Sequence, residues 1–282
     1  MYFPEGFNKE RALELAALVR SAYEQLAAYE DEKDWSPPPG YELLAPLNYP
    51  INRGKNALGI GTSFDIDVKR KYTIKKQNND EMPIGFIARK KKDLFVIFRG
   101  TKTVKEWIKN FNMGLTEFFL PGQGEVHEGF LSTYTLVRDE IKKLLETIPA
   151  KARIFVAGHS LGAALATLAA MDLEIGLGRR LAAIYTFGSP RVGNAKFSDS
   201  FGTQLAERSF RVANSSDIVT SIPLPVPLAG FVGGYFSHVE TQVSCNSQNN
   251  ESEINHAMAT YIAELEKAKD GRGLWQRLLG RG

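Results

Sequence analysis

Ile154-Phe155-Val156-Ala157-Gly158-His159-Ser160-Leu161-Gly162-Ala163-Ala164-Leu165-Ala166 is the stretch that decides the fold. A β-branched and aromatic run passes through a G-x-S-x-G pentapeptide into small helix formers that continue through Thr167-Leu168-Ala169-Ala170. A strand that turns this abruptly into a helix strains the serine and pushes its Oγ into the open, and the glycines leave room where a Cβ would clash. The helix N-terminus presents unpaired N–H groups where negative charge would develop. The pentapeptide alone is common; its place between a strand-like and a helix-like run makes Ser160 a candidate nucleophile.

Outward from this point the chain alternates. Tyr134, Val137, Ile141, Leu144, Leu145 and Ile148 have helical spacing. Arg153–Ala157 reads as a strand, Leu161–Leu173 as a helix, Leu181–Phe187 as a strand, Ala195–Leu205 as a helix and Phe210–Asn214 as a strand. This β-α-β-α-β order implies an α/β class, with right-handed crossovers and a mostly parallel sheet flanked by helices. A last helix is expected from about Asn255 to Lys267. Upstream, residues 9–29 read as a helix whose stripe is Leu15, Leu18, Val19, Ala22, Tyr23 and Leu26. Phe64, Ile66 and Val68 alternate with polar residues as in a half-buried strand. Ile84–Ala88 and Leu94–Phe98 are apolar runs joined by the basic Arg89-Lys90-Lys91-Lys92-Asp93, expected to be a solvated hairpin turn rather than an anionic-surface contact.

With 282 residues, 43% of them hydrophobic, the chain suits a single domain over 1–282. A net charge of +3 offers no case for nucleic acid. The one cysteine, Cys245, cannot support an intramolecular disulfide. No apolar run has bilayer length, and the first residues lack the basic region of a signal peptide. The expected location is cytoplasmic, or secreted with the leader absent from this chain.

A serine nucleophile needs a base and a group to orient it. Four histidines compete. His159 lies inside the turn, with its side chain directed away from the serine's. His127 precedes the serine and suits a helix start or a core hydrogen bond. His238 and His256 both follow the serine, as the chain order Ser…Asp…His requires. His256 is preferred because it opens an amphipathic helix beside a turn; His238 sits in an alternating segment and suits a structural partner. Asp217, just past the strand ending at Asn214, is the candidate orienting acid, although a turn aspartate making a local backbone bond reads the same way. Asp199 is the other carboxylate considered, and it falls mid-helix. For the oxyanion, the N–H of Leu161 is one donor, and the N–H of Thr101 after Arg99-Gly100, fixed by its own hydroxyl, is the second.

These residues resemble the class 3 lipase family, the fungal-lipase-like group of α/β-hydrolases, over roughly residues 84–262. The motifs are Val96-Ile97-Phe98-Arg99-Gly100-Thr101, Trp107, Val126-His127-Glu128-Gly129-Phe130, Gly158–Ala166, Phe187-Gly188-Ser189-Pro190-Arg191-Val192-Gly193-Asn194, Asn214-Ser215-Ser216-Asp217-Ile218-Val219, Pro223, and His256 with Tyr261. The resemblance implies an α/β-hydrolase fold with a nucleophile elbow and a helical lid. It implies a triad of Ser160, Asp217 and His256, with Thr101 and Leu161 holding the oxyanion. It requires no metal and no organic cofactor. Secreted fungal members carry disulfides, which this chain cannot form.

Three segments invite functional readings beside plain ones. Val104, Trp107, Ile108 and Phe111 fall at i, i+3, i+4 and i+7, with lysines and Glu106 opposite. In the resembling lipases the helix at about 102–112 is a lid that opens at a lipid surface; the plain reading is a helix packed on the core. The Pro-rich loop with Val226, Leu228 and Phe231 either lines an acyl groove or simply connects elements. The tail 268–282 mixes arginines with Leu274, Trp275, Leu278 and Leu279, which suits a membrane surface or docking on its own domain. The expected activity is that of a serine hydrolase on lipid esters at a lipid–water interface, foremost triacylglycerol. A phospholipase A1, a small-ester esterase and a catalytically silent membrane-binding relative stay as alternatives.

Overall fold

Asn8 starts the first helix by accepting the Arg11 N–H on its side-chain oxygen at 2.8 Å, a cap that contributes about 1 kcal/mol. The computed structural model describes residues 1–50, 81–102, 114–225, 235–239 and 241–268. Helix α1 is Lys9–Glu30. Strands β1 (Glu42–Pro50), β2 (Glu81–Lys90) and β3 (Asp93–Phe98) follow, then the short pair β4 (Leu115–Glu117) and β5 (Glu125–His127). Next come α2 (Glu128–Thr147), β6 (Arg153–His159), α3 (Leu161–Met171), β7 (Leu181–Phe187), α4 (Ala195–Leu205) and β8 (Ser209–Asn214). β9 (Thr241–Cys245), α5 (Ser252–His256) and α6 (Met258–Lys267) complete the described elements.

The main sheet runs β1-β2-β3-β6-β7-β8-β9. β1, β2 and β3 pair antiparallel, and from β3 to β9 every pairing is parallel. The expected mostly parallel sheet is therefore present, with an antiparallel start. The basic run 89–93 forms the β2–β3 hairpin, with Lys91 at φ 57° and Lys91 and Lys92 exposed.

The strands read as unbroken apolar runs because both faces are covered. Leu94, Val96 and Phe98 enter one core, where Phe130, Val137, Leu165 and Leu168 contribute from α2 and α3. Phe95, Ile97, Phe155 and Ala157 enter the other, under Leu15, Val19 and Ala22 of α1 and Tyr261 and Leu265 of α6. Arg11 fastens α1 to the sheet, 3.0 Å from Asp93 and 4.1 Å above the Phe155 ring. Lys9 Nζ reaches the end of α6 and donates to the carbonyls of Glu266 and Ala268.

Two helices depart from the sequence expectation. The helix expected over Leu161–Leu173 is α-helical only to Met171, and Asp172–Gly176 is a wider π turn. Asp172 is fully buried and accepts from Tyr134 Oη at 2.8 Å and from Arg138 Nε at 2.7 Å; these bonds hold it inward while Leu173 stays in the core. The helix expected over Asn255–Lys267 is two pieces separated by extended Ala257 (φ −61°, ψ 139°). His256 therefore closes α5 and does not open a helix. The Thr260 N–H donates to the Ala257 carbonyl, so the His256 carbonyl is released from the helical ladder and accepts from His159 instead.

The strand reading at 64–68, the lid residues Val104, Trp107, Ile108 and Phe111, the groove residues Val226, Leu228 and Phe231, and the tail from 269 lie outside the described residues.

Candidate active site

Ser160 joins β6 to α3 at φ 58°, ψ −127°, a conformation that costs a non-glycine residue of order 1–3 kcal/mol. Its N–H donates to the Phe187 carbonyl at 3.0 Å, which pins the turn to the end of β7. The neighbouring glycines are required by close approach. A Cβ at 158 would lie 2.0 Å from the Gly162 oxygen, and one at 162 would lie 2.4 Å from the Arg99 oxygen. Leu161 is the first residue of α3, where N–H groups lack helical acceptors.

Asp217 stands three residues past β8 and starts the short helical turn Ile218–Ser221. Its Oδ1 accepts the Val219 N–H at 2.9 Å, so the local turn bond is real. Its Oδ2 faces elsewhere and accepts from His256 Nδ1 at 2.6 Å and from the Tyr261 hydroxyl. A carboxylate only accepts, so His256 carries its proton on Nδ1 and leaves Nε2 as the bare basic nitrogen. Both side chains are buried.

Ser160 Oγ and His256 Nε2 are also buried, and among the described residues neither has a hydrogen-bond partner. The hydroxyl–imidazole bond is thus not made in this structure. A serine hydroxyl closes such a bond by rotation about χ1, and these contacts tighten when substrate binds. The two residues meet through their neighbour: the His159 ring lies 4.5 Å from the His256 ring, and His159 Nε2 donates to the His256 carbonyl at 2.7 Å.

Residues 95–226 match the family model "Lipase (class 3)", a span holding Thr101, Ser160, Leu161 and Asp217. This match supports the resemblance of the chain to the class 3 lipase family. It is 36% identical over 153 residues to the chloroplastic phospholipase A(1) DAD1 of Arabidopsis thaliana, covering 47% of this chain and 34% of that protein. It is 39% identical over 130 residues to the secreted mono- and diacylglycerol lipase A of Penicillium cyclopium, covering 45% of this chain and 42% of that one. The match thus spans between a third and a half of these relatives. A crystal structure of a lipase from Rhizopus microsporus var. chinensis aligns with TM-score 0.58 over 92% of this chain and 87% of that one, at 24% identity, which bears on the fold. The fold is that of the α/β-hydrolases.

The remaining histidines are structural. His127 Nδ1 accepts the Gly129 and Phe130 N–H groups at 3.1 and 3.3 Å and so caps α2. His238 Nε2 donates to the Thr220 carbonyl at 2.8 Å. Asp199 is exposed on α4. Thr101 is buried next to the turn, but its hydroxyl has no hydrogen-bond partner among the described residues, so it does not fix its own N–H as expected. Arg99 and Tyr23 hold that loop instead. Tyr23, placed in the apolar stripe of α1 by spacing, uses its hydroxyl as a polar hub. Spacing reports which face a side chain takes, not what its terminal oxygen touches. Tyr261 escaped a role for the same reason; its position five residues after His256 is the one signal available.

Burial makes two imidazoles reluctant bases. It pushes His159 well below the usual range, with His256 adding to the effect. It pulls His238 down to about 3, helped by Arg211 and Arg191. As pH falls below about 6.5 the unfolded chain gains protons that the folded chain refuses, so folding stability is full above that pH and declines toward pH 3. Thermal unfolding at stepped pH is expected to show Tm falling by several degrees or more between pH 7 and 5. His238→Gln, which keeps a donor for Thr220, is expected to flatten that slope.

Proposed function

We propose that the chain is a serine carboxylic-ester hydrolase acting on glycerolipid esters, with triacylglycerol as the leading substrate. The observation that carries this reading is the buried His256–Asp217 pair at 2.6 Å, whose imidazole lies 4.5 Å from the ring of His159, the neighbour of the strained Ser160. In the proposed mechanism Ser160 Oγ attacks the ester carbonyl carbon as His256 Nε2 takes its proton. The carbonyl π electrons move to oxygen, and the N–H groups of Leu161 and Thr101 hold that charge. The ester C–O bond then breaks, and the leaving alcohol takes the proton from His256. Water, deprotonated by His256, attacks the acyl-enzyme carbonyl; the acyl C–Oγ bond breaks, His256 returns that proton to Ser160 Oγ, and the acid leaves. Asp217 keeps the imidazole tautomer and stabilises its charged form, and Tyr261 holds the carboxylate.

Exposed apolar side chains support a lipid substrate. Ile218 directly follows Asp217, and Ile254 lies two residues before His256; both are exposed, as is Leu224 beyond them. Apolar groups in water beside a candidate ester-cleaving centre suit acyl chains or a lipid surface. The similarity to a phospholipase A1 favours a second reading, in which a phospholipid is the preferred ester.

The test pairs a fluorophosphonate label with a substrate panel. Labelling at Ser160, hydrolysis of a short soluble ester, and a steeper rate once triacylglycerol forms an emulsion are the expected results. A phospholipid cleaved faster than triacylglycerol would move the assignment to the second reading. An unlabelled, folded protein would leave only a lipase-like binding role. No helix among the described residues is long and apolar enough to cross a membrane.

A further inference from the structure

Tyr23 and Arg99 have no part in the proton path above, yet their polar atoms converge on the backbone of one residue, Gly100. The Gly100 N–H donates to Tyr23 Oη at 2.9 Å. Arg99 Nη1 donates to the Gly100 carbonyl at 2.7 Å, and Arg99 Nε donates to the Pro83 carbonyl at 2.9 Å. The site is close to the nucleophile: a Cβ at position 100 would fall 2.6 Å from Ser160 Cβ and 2.6 Å from the Tyr23 oxygen. The Gly100–Thr101 peptide is planar and trans, so fixing its carbonyl on Arg99 directs the Thr101 N–H the opposite way. A guanidinium on that carbonyl also makes the N–H a stronger donor. Burial pulls Arg99 down to about 10, which leaves it cationic at neutral pH.

Tyr23 extends this clamp to the other half of the site. Its oxygen accepts from Gly100, so its own proton is free to be given. It points at His159 Nδ1, 2.7 Å away. His159 Nε2 faces the His256 carbonyl at 2.7 Å, and a carbonyl only accepts, so Nε2 carries the proton and Nδ1 is bare. Tyr23 must then be the donor. Gly100 N–H, Tyr23 O–H and His159 Nε2–H all point one way and end on the backbone of His256. Burial keeps His159 neutral and Tyr23 protonated, so the direction does not reverse.

We propose that Tyr23 is a positioning residue that ties Gly100, whose carbonyl shares a peptide with the Thr101 N–H, to the backbone of His256 through His159, so that the oxyanion donor and the base keep a constant spacing. This rests on the roles proposed above for Ser160, Thr101 and His256. Such a tie acts on the transition state, where donor and base work on one tetrahedral centre, and leaves ground-state binding alone.

The test is Tyr23→Phe, which keeps the ring that packs edge-on to His159 and removes the hydroxyl. Fluorophosphonate titration counts competent sites, and kcat is expressed per labelled Ser160. We expect kcat to fall by about tenfold to a hundredfold with KM within about twofold. The affinity of an alkyl boronic acid, which forms a tetrahedral adduct on the serine, should fall by the same factor. Unchanged kcat per site and unchanged boronate affinity would overturn the inference, whatever happens to Tm. A raised KM with kcat intact would overturn it as well. Should Tyr23→Phe fail to fold, 3-fluorotyrosine at position 23 keeps the shape and alters donor strength; a change in kcat without one in KM is expected, and no change refutes the tie. Wild-type protein that neither reacts with fluorophosphonate nor binds the boronate would refute the hydrolase reading itself, a separate failure.

Discussion

Ser160→Ala is expected to lower kcat for a soluble ester by about six orders of magnitude, close to the uncatalysed background. The acyl-enzyme needs an oxygen at this one place, and the backbone is shaped for it: φ 58° at a non-glycine residue is tolerated because Gly158 and Gly162 leave no Cβ in the way. Alanine keeps that backbone requirement, so the fold and Tm should be nearly unchanged. Initial rates with a chromogenic ester, together with loss of fluorophosphonate labelling, check the claim. Retained turnover above about one part in a thousand would point to a different nucleophile.

Asp217→Asn is expected to cost about 10⁴-fold in kcat while leaving the site's shape intact. The reason lies in which atoms can donate. The carboxylate Oδ2 accepts from His256 Nδ1 and from the Tyr261 hydroxyl, and Oδ1 accepts from Val219. An amide has one oxygen and one NH2 group. If the NH2 faces His256, the imidazole flips to the tautomer with its proton on Nε2, where the serine needs a base. If the oxygen faces His256, the NH2 confronts the Val219 N–H, and two donors oppose each other. Either orientation also forfeits the negative charge that stabilises the imidazolium. A steady-state pH–rate profile distinguishes the outcomes: the variant should show a low rate that climbs at high pH, whereas an unchanged profile would deny Asp217 the orienting role.

Much of this was readable in the chain because steric demands are local. The run 154–166 specifies its own strand, turn and helix, and the structure has each within two residues. Asp217 was readable because it follows a strand end in an α/β sheet. The interruption at Ala257 was not: the apolar spacing of Met258, Tyr261 and Leu265 continues smoothly from His256, and the break follows from a bond between the His256 carbonyl and His159, 97 residues away. Tyr23 was opaque for the same reason, since its hydroxyl partners lie 77 and 136 residues distant. The π turn at Asp172 needs Tyr134 and Arg138 from another helix.

The first helix lies across the second core, gripped by Arg11 on the sheet and by Lys9 on the end of α6, and it carries Tyr23. The span shared with the family, 95–226, contains neither that helix nor His256. A fragment trimmed to the family-model span would keep the elbow and Asp217 but lose the proposed base and the proposed brace. A minimal catalyst built on the proposed mechanism would therefore have to carry α1 and α5 along with the family-model span.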